Sequence, residues 1–254
     1  MTEYTDHHAP EGLRTRGTIV VVPGRGETRA TYARFGRRLA ADAYRVRVVD
    51  APDSQELTGP LSGFGARLAD AVEDTATPDG VVRPVVVVGA DTGAVAVAAL
   101  LGQDGSPAGG RPDAVVLAGL PGPNATARGG SWDDELDVRT SCPAHRGTLT
   151  DDSGVRRGAL GTAVPEALLT AAYDSELGVP ALILTGDTDP LADGEALVRA
   201  AKSQTRARLS VVRGAHHDVL NDLQHRSVAA ETVTFLETLR NDLVPLIAVE
   251  TSAW

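Results

Sequence analysis

The sequence predicts a doubly wound α/β domain built on a mainly parallel sheet of about six strands. Three observations carry that expectation. Short uninterrupted runs of Val, Ile and Leu recur along the chain, as in strands covered on both faces. Segments of helical period separate them. Gly, Pro and Asp cluster where one period gives way to the other, which marks the turns.

Taken in order, Thr18–Pro23 (TIVVVP) reads as the first strand, and Ala30–Ala41 as a helix with Tyr32, Phe35 and Leu39 on one face. Arg45–Asp50 (RVRVVD) is the second strand, followed by a helix from about Leu61 to Val72. Pro84–Gly89 (PVVVVG) is the most apolar strand and leads almost directly into a helix over Thr92–Leu101. Ala114–Ala118, Ala181–Thr185 and Arg208–Arg213 complete the strands, and Val228–Leu239 closes the chain as a helix. Residues 1–17 read as a flexible polar tail carrying His7 and His8, and 18–254 as one domain. The alternation breaks between about 121 and 178, apart from the Gly/Pro-rich loop Gly102–Pro112. That segment far exceeds the ordinary connection of about 4–6 residues and is expected to form a short cap over the site.

Composition narrows the function. The 254 residues are 42% hydrophobic and 23% charged, ordinary for a globular domain, with only 4% aromatic, so the core must rest on Val, Leu and Ala. A net charge of −10 disfavours nucleic acid and anionic membrane surfaces as partners and leaves a small molecule. Residues 1–17 lack the basic start and apolar run of a secretory signal, so a cytoplasmic location is expected. Cys142 is the sole cysteine; with His145 it makes two candidate ligands where zinc takes three or four. No metal or cofactor is expected.

The segment that carries chemistry is Val85–Ala98, where a buried strand enters Gly89-Ala90-Asp91-Thr92-Gly93 and then a helix. Small residues two before and two after Asp91 let strand and helix pass closely, and the helix N-terminus favours negative charge at the turn. Two further strand ends hold titratable residues. ALILT is followed by Gly186-Asp187-Thr188-Asp189-Pro190, and RLSVV, one residue on, by Gly214-Ala215-His216-His217-Asp218. Read alone, Asp91 could be a helix N-cap, Asp187 could replace Asp189, and His216 could replace His217.

Together these pieces resemble the α/β-hydrolase superfamily: its nucleophile elbow, acid turn and histidine loop, in that order. The resemblance selects Asp91, Asp189 and His217 as catalytic residues. Pro23-Gly24-Arg25-Gly26-Glu27 is similar to the H-G-x-G-E loop of the lysophospholipase and monoacylglycerol-lipase branch, with Pro23 in place of histidine. It implies an oxyanion hole from the backbone N–H groups of Arg25 and Thr92, with Gly24, Trp132 and Tyr173 as candidate substrate contacts.

Aspartate stands where most members of the superfamily carry serine. A carboxylate needs no base to ionise at neutral pH and attacks an sp3 carbon bearing a leaving group or strained ring. In the epoxide hydrolases and haloalkane dehalogenases of this superfamily, such attack gives an alkyl-enzyme ester that a His-activated water then hydrolyses. Thr92 replaces the halide-binding Trp of the dehalogenases, which leaves epoxide opening as the favoured expectation. Epoxide hydrolases use two cap tyrosines as proton donors, where the insertion here offers just Tyr173, with His145 as a substitute. Two alternatives remain: Asp91 as general base for elimination or cyclisation on an esterase-derived scaffold, or a catalytically silent binding protein. Asp187, Asp218 and the arginines at 139, 146, 156 and 157 read as solvated or paired surface charges, the arginines alternatively holding a substrate anion.

Overall fold

The computed structural model describes residues 4–103, 110–123, 125 and 130–252, so most of the Gly102–Pro112 loop lies outside the described residues. One seven-stranded sheet organises them, in the order β1-β3-β2-β4-β5-β6-β7. Its strands are β1 Thr5–His7, β2 Thr18–Val22, β3 Arg45–Val48, β4 Val85–Ala90, β5 Ala114–Ala118, β6 Ala181–Gly186 and β7 Ala207–Val212. All pairings are parallel except β1 against β3, where Thr5 faces Val48 and His7 faces Val46.

β1 corrects two expectations. The sheet has seven strands where about six were expected, and residues 5–7 of the expected flexible tail are paired into its edge. Asp6 grips Arg47 through two hydrogen bonds of 2.7 and 2.6 Å, and a Cβ at Gly36 would collide with the His7 ring. Three residues with no apolar run give no strand signal; an ion pair across the edge holds them.

The helices are α1 Ala33–Ala41, α2 Ser54–Thr58, α3 Ser62–Glu73, α4 Thr92–Gly102, α5 Trp132–Arg139, α6 Pro143–Asp151, α7 Glu166–Asp174, α8 Gly194–Ser203 and α9 His225–Arg240. Alternate strand residues go to opposite layers, as period two requires. Val20, Val22, Val87, Val115 and Ile183 pack with α3, α4, α7 and α8. Ile19, Val21, Val46, Val86, Val116 and Leu182 pack with α1 and α9. α4 is apolar on every side and buried from Thr92 to Leu101, which seats it at the centre of one layer.

The expected cap at 121–178 is smaller than its sequence span. α7 lies in the main core, with Leu168, Leu169, Ala172 and Tyr173 buried. The cover consists of α5, α6 and a 3-10 turn at Ala159–Gly161, held by a separate cluster of Leu136, Leu149 and Val155 beside Trp132. Chain order reverses between β2 and β4, and the crevice beyond the carboxyl ends of such strands is where open α/β sheets bind ligands. The loops leaving β2 and β4 therefore meet at the switch point, Val22 lying opposite Gly89.

Candidate active site

Asp91 sits at that junction with φ 46° and ψ −121°, a strained conformation for a residue with a side chain. Two contacts show why its flanking glycines are needed. A Cβ on Gly89 would lie 2.6 Å from Ala94 Cα, and one on Gly93 would lie 2.6 Å from both Pro23 O and Val22 O. The Asp91 side chain makes no N-capping bond, so the capping reading fails, and its carboxylate turns instead toward the loops of β2 and the histidine turn.

There the three sequence-selected residues meet. Asp91 Oδ1 is 3.2 Å from His217 Nε2, and His217 Nδ1 is 2.9 Å from Asp189 Oδ2. Asp189 is held by Leu191 N–H at 2.8 Å. The rivals are occupied elsewhere: Asp187 accepts the Gly214 N–H, and His216 pairs with Asp222. Arg25 N–H, one of the two backbone donors named from the sequence, donates to Asp91 Oδ2 at 2.8 Å.

The side chain of Arg25 was not legible as part of this arrangement. Its Nε donates to both Asp91 oxygens, at 3.1 and 2.9 Å, and Nη2 to Oδ1 at 2.8 Å. Nη1 continues to Leu160 O at 3.2 Å and Thr162 O at 2.6 Å, tying Asp91 to the cap through Arg25. The result is a buried row of alternating charge: Arg25, Asp91, His217, Asp189. Burial alone would raise the Asp91 pKa, but the Arg25 charge and the hydrogen bonds from His217 and Arg25 hold it well below the usual carboxylate range. Burial likewise opposes charge on His217, yet Asp189 and Asp91 outweigh it and push its pKa up to about 10. Both carboxylates thus favour the imidazolium form of His217.

A second buried network, which the sequence reading placed in solvent, lies alongside. Arg139 is 1% exposed and bonds Glu135 at 2.9 Å and Arg25 O at 2.7 Å, with Asp218 Oδ1 at 3.5 Å. Asp218 Oδ2 pairs with His145 Nε2 at 2.9 Å. Both were expected among solvated charges; a buried arginine on a polar helix leaves no periodic trace. Arg139 joins the cap, the loop after β2 and the histidine loop, the last also through His217 N–H to Val138 O at 3.2 Å and Asp218 N–H to Arg139 O at 2.8 Å. Glu27, from the G-x-G-E loop, accepts from Gly24 N–H at 2.9 Å and from Tyr32 O–H. Glu27, His145 and Asp218 converge within 4.8 Å. The direct His145–Asp218 bond and the adjacent Arg139 charge make this a hydrogen-bonded cluster unsuited to a cation.

A cavity of about 10 Å³ lies between the two networks, lined by Glu27, Tyr32, Asp91, His217, Asp218 and Asn221 among others. Two expected substrate contacts do not line it. Tyr173 spends its O–H on Pro121 O at 3.1 Å inside the core, and Trp132 donates to Thr150 Oγ1 at 3.2 Å on the cap. Gly24 is adjacent: a Cβ there would lie 2.7 Å from Asp91 Cβ. Cys142 lies at the start of α6, with Sγ 3.5 Å from Arg34 Nη1 and its carbonyl accepting the His145 N–H at 3.0 Å. Among the described residues no helix is long and apolar enough to cross a membrane.

No family model matches the chain, and no curated protein matches it. Solved structures do. A monoacylglycerol lipase from Paleococcus ferrophilus superposes with a TM-score of 0.71 at 16% identity, covering 94% of this chain and 99% of the lipase. A soluble variant of monoglyceride lipase from Saccharomyces cerevisiae gives 0.70 at 14% identity, over 93% and 91% of the two chains. YbtT, a type II thioesterase of the yersiniabactin pathway, gives 0.56 at 18%, over 93% and 98%.

Proposed function

We propose that this chain, which shares the α/β-hydrolase fold of those lipases and that thioesterase, is a hydrolase in which Asp91 attacks an sp3 carbon bonded to oxygen, with an epoxide as the favoured substrate class. The observation that carries this reading is the division of labour between the Asp91 oxygens. Oδ2 takes the oxyanion-loop N–H of Arg25 while Oδ1 points at the histidine. In this arrangement one oxygen becomes the carbonyl of an ester and the other forms its single bond to substrate.

The charge row explains how an imidazolium could serve as base. While Asp91 is ionised it holds the proton on His217. Alkylation removes that negative charge, so His217 loses one of two anionic partners and can release its proton. It then withdraws a proton from water, which attacks the Asp91 carbonyl, and the Arg25 N–H stabilises the tetrahedral oxyanion. Collapse expels the alcohol and regenerates the carboxylate. Access requires the Arg25 guanidinium to leave Oδ1, since the resting site holds a cavity of only about 10 Å³.

That seal favours one competing reading, a silent binding protein whose nucleophile is permanently neutralised. A trapping experiment separates them. His217→Ala protein exposed to a panel of small epoxides is expected to gain the mass of one epoxide at Asp91, and an Asp91→Asn, His217→Ala double variant none. Absence of adduct across the panel favours the silent reading.

A further inference from the structure

We propose that Glu27 is the acid that protonates the departing oxygen, a role that rests on the reading of Asp91 as nucleophile. Opening an epoxide needs a proton for the leaving oxygen, and in-line displacement places that oxygen on the side of the carbon facing away from Asp91 Oδ1. His217 and Arg25 are both bonded to Oδ1 itself, and so stand on the wrong side of the reacting carbon. Of the other titratable side chains lining the cavity, Tyr32 gives its O–H to Glu27, and Asp218 faces His145 and Arg139. Glu27 remains.

Its bonding is that of a carboxylic acid. Oε2 receives two donors, Gly24 N–H and Tyr32 O–H, while the buried Oε1 has no hydrogen-bond partner among the described protein atoms. Asn221 Oδ1, an acceptor on the same cavity wall, also has none. A proton on Oε1 gives the cavity wall a donor among its unpaired acceptor oxygens. Glu27 is also close to the reaction: an atom added to Gly24 would lie 2.7 Å from Asp91 Cβ and 2.9 Å from Glu27 Oε2. Its surroundings, burial first, shift it toward the neutral form. Burial and the Asp218 carboxylate push the Glu27 pKa up to about 7, against the opposing influence of Arg139, the Tyr32 hydrogen bond and His145.

The step then balances. The Asp91 Oδ1–carbon bond forms as the carbon–oxygen bond of the ring breaks, and its electron pair takes the Glu27 Oε1 proton to give a hydroxyl. Glu27 is left as carboxylate and is reprotonated from His217, whose proton is released once Asp91 is esterified. That transfer restores the acid and frees the base for the second half-reaction.

The test compares adduct formation in the His217→Ala background with and without Glu27→Gln, using an epoxide and a primary alkyl iodide of similar size. Iodide departs without a proton. General acid catalysis contributes roughly 10²–10⁴-fold. The epoxide adduct should therefore form at least about 100-fold more slowly in Glu27→Gln, with the iodide adduct within about twofold. With Glu27 intact the epoxide rate should fall above pH about 7, and in Glu27→Gln it should be flat. Equal slowing of both reagents would show a merely structural role and overturn the assignment, as would no slowing of either. If neither reagent labels the Glu27-containing protein, the nucleophile reading itself has failed.

Discussion

At the scale of single residues, Arg25 sets the state of the site. Its guanidinium covers both oxygens of Asp91, so the proposed nucleophile is held in an ion pair. Removing one partner of a buried pair costs about 3–5 kcal/mol. Arg25→Met should lower stability by about that amount in urea titration, and in the His217→Ala background should speed alkylation of Asp91 several-fold, since the backbone N–H remains. Slower alkylation would mean that the guanidinium activates rather than stores the nucleophile. The positions of Asp91, Asp189 and His217 were legible because each follows a strand in a small recurrent pattern. The partners that set their charge were not. Arg25 was recognisable only for its backbone, and Asp218, Glu27 and Arg139 belong to turns and a polar helix where burial has no periodic signature.

At the scale of elements, the site depends on how closely the start of α4 passes the end of β2. Gly93 has the two β2-loop carbonyls, Pro23 O and Val22 O, within 2.6 Å of where a Cβ would stand, and neither is free to yield. Overpacking of this kind costs typically about 1–3 kcal/mol. Gly93→Ala should lower the denaturation midpoint accordingly and abolish labelling of Asp91, because the Arg25 N–H can no longer hold its register with Oδ2. Full labelling in Gly93→Ala would break the proposed link between loop spacing and chemistry. The parallel strands were readable from their Val runs to within a residue or two. β1 was not, because a three-residue edge strand held by Asp6 and Arg47 has no apolar run to betray it. The cap was overestimated because α7, short and irregularly flanked, reads like insertion but packs into the core beside α4.

At the scale of the whole molecule, the charge rows make stability depend on pH in a defined sense. The His217 pKa rises on folding from 6.5 to about 10. The native state thus binds a proton the unfolded chain releases, and this stabilisation is fully present below pH 6.5 and lost as pH climbs to about 10. Glu27, raised from 4.5 to about 7, acts in the same sense over its lower window. Asp91 works oppositely: its stabilisation is present above its ordinary value of 3.8 and lost only as pH falls below it. The melting temperature should therefore decline from mildly acid pH toward pH 10, with His217→Gln flattening the upper part of the decline and Glu27→Gln the lower. A wild-type melting temperature that rises between pH 7 and 10 would contradict the charge assignment.

The central claim, that Asp91 is a covalent nucleophile and not a general base, is tested most directly by tracing oxygen. The intact protein is incubated in 18O-water with the epoxide that labels the His217→Ala variant, and the peptide containing Asp91 is then weighed. Because water attacks the ester carbonyl, repeated turnover should load 18O into the Asp91 carboxylate, and the diol from a single turnover should carry ordinary oxygen from the enzyme. Label in the first-turnover diol, with Asp91 unlabelled, would mean that water attacks the substrate directly and that Asp91 acts as a base.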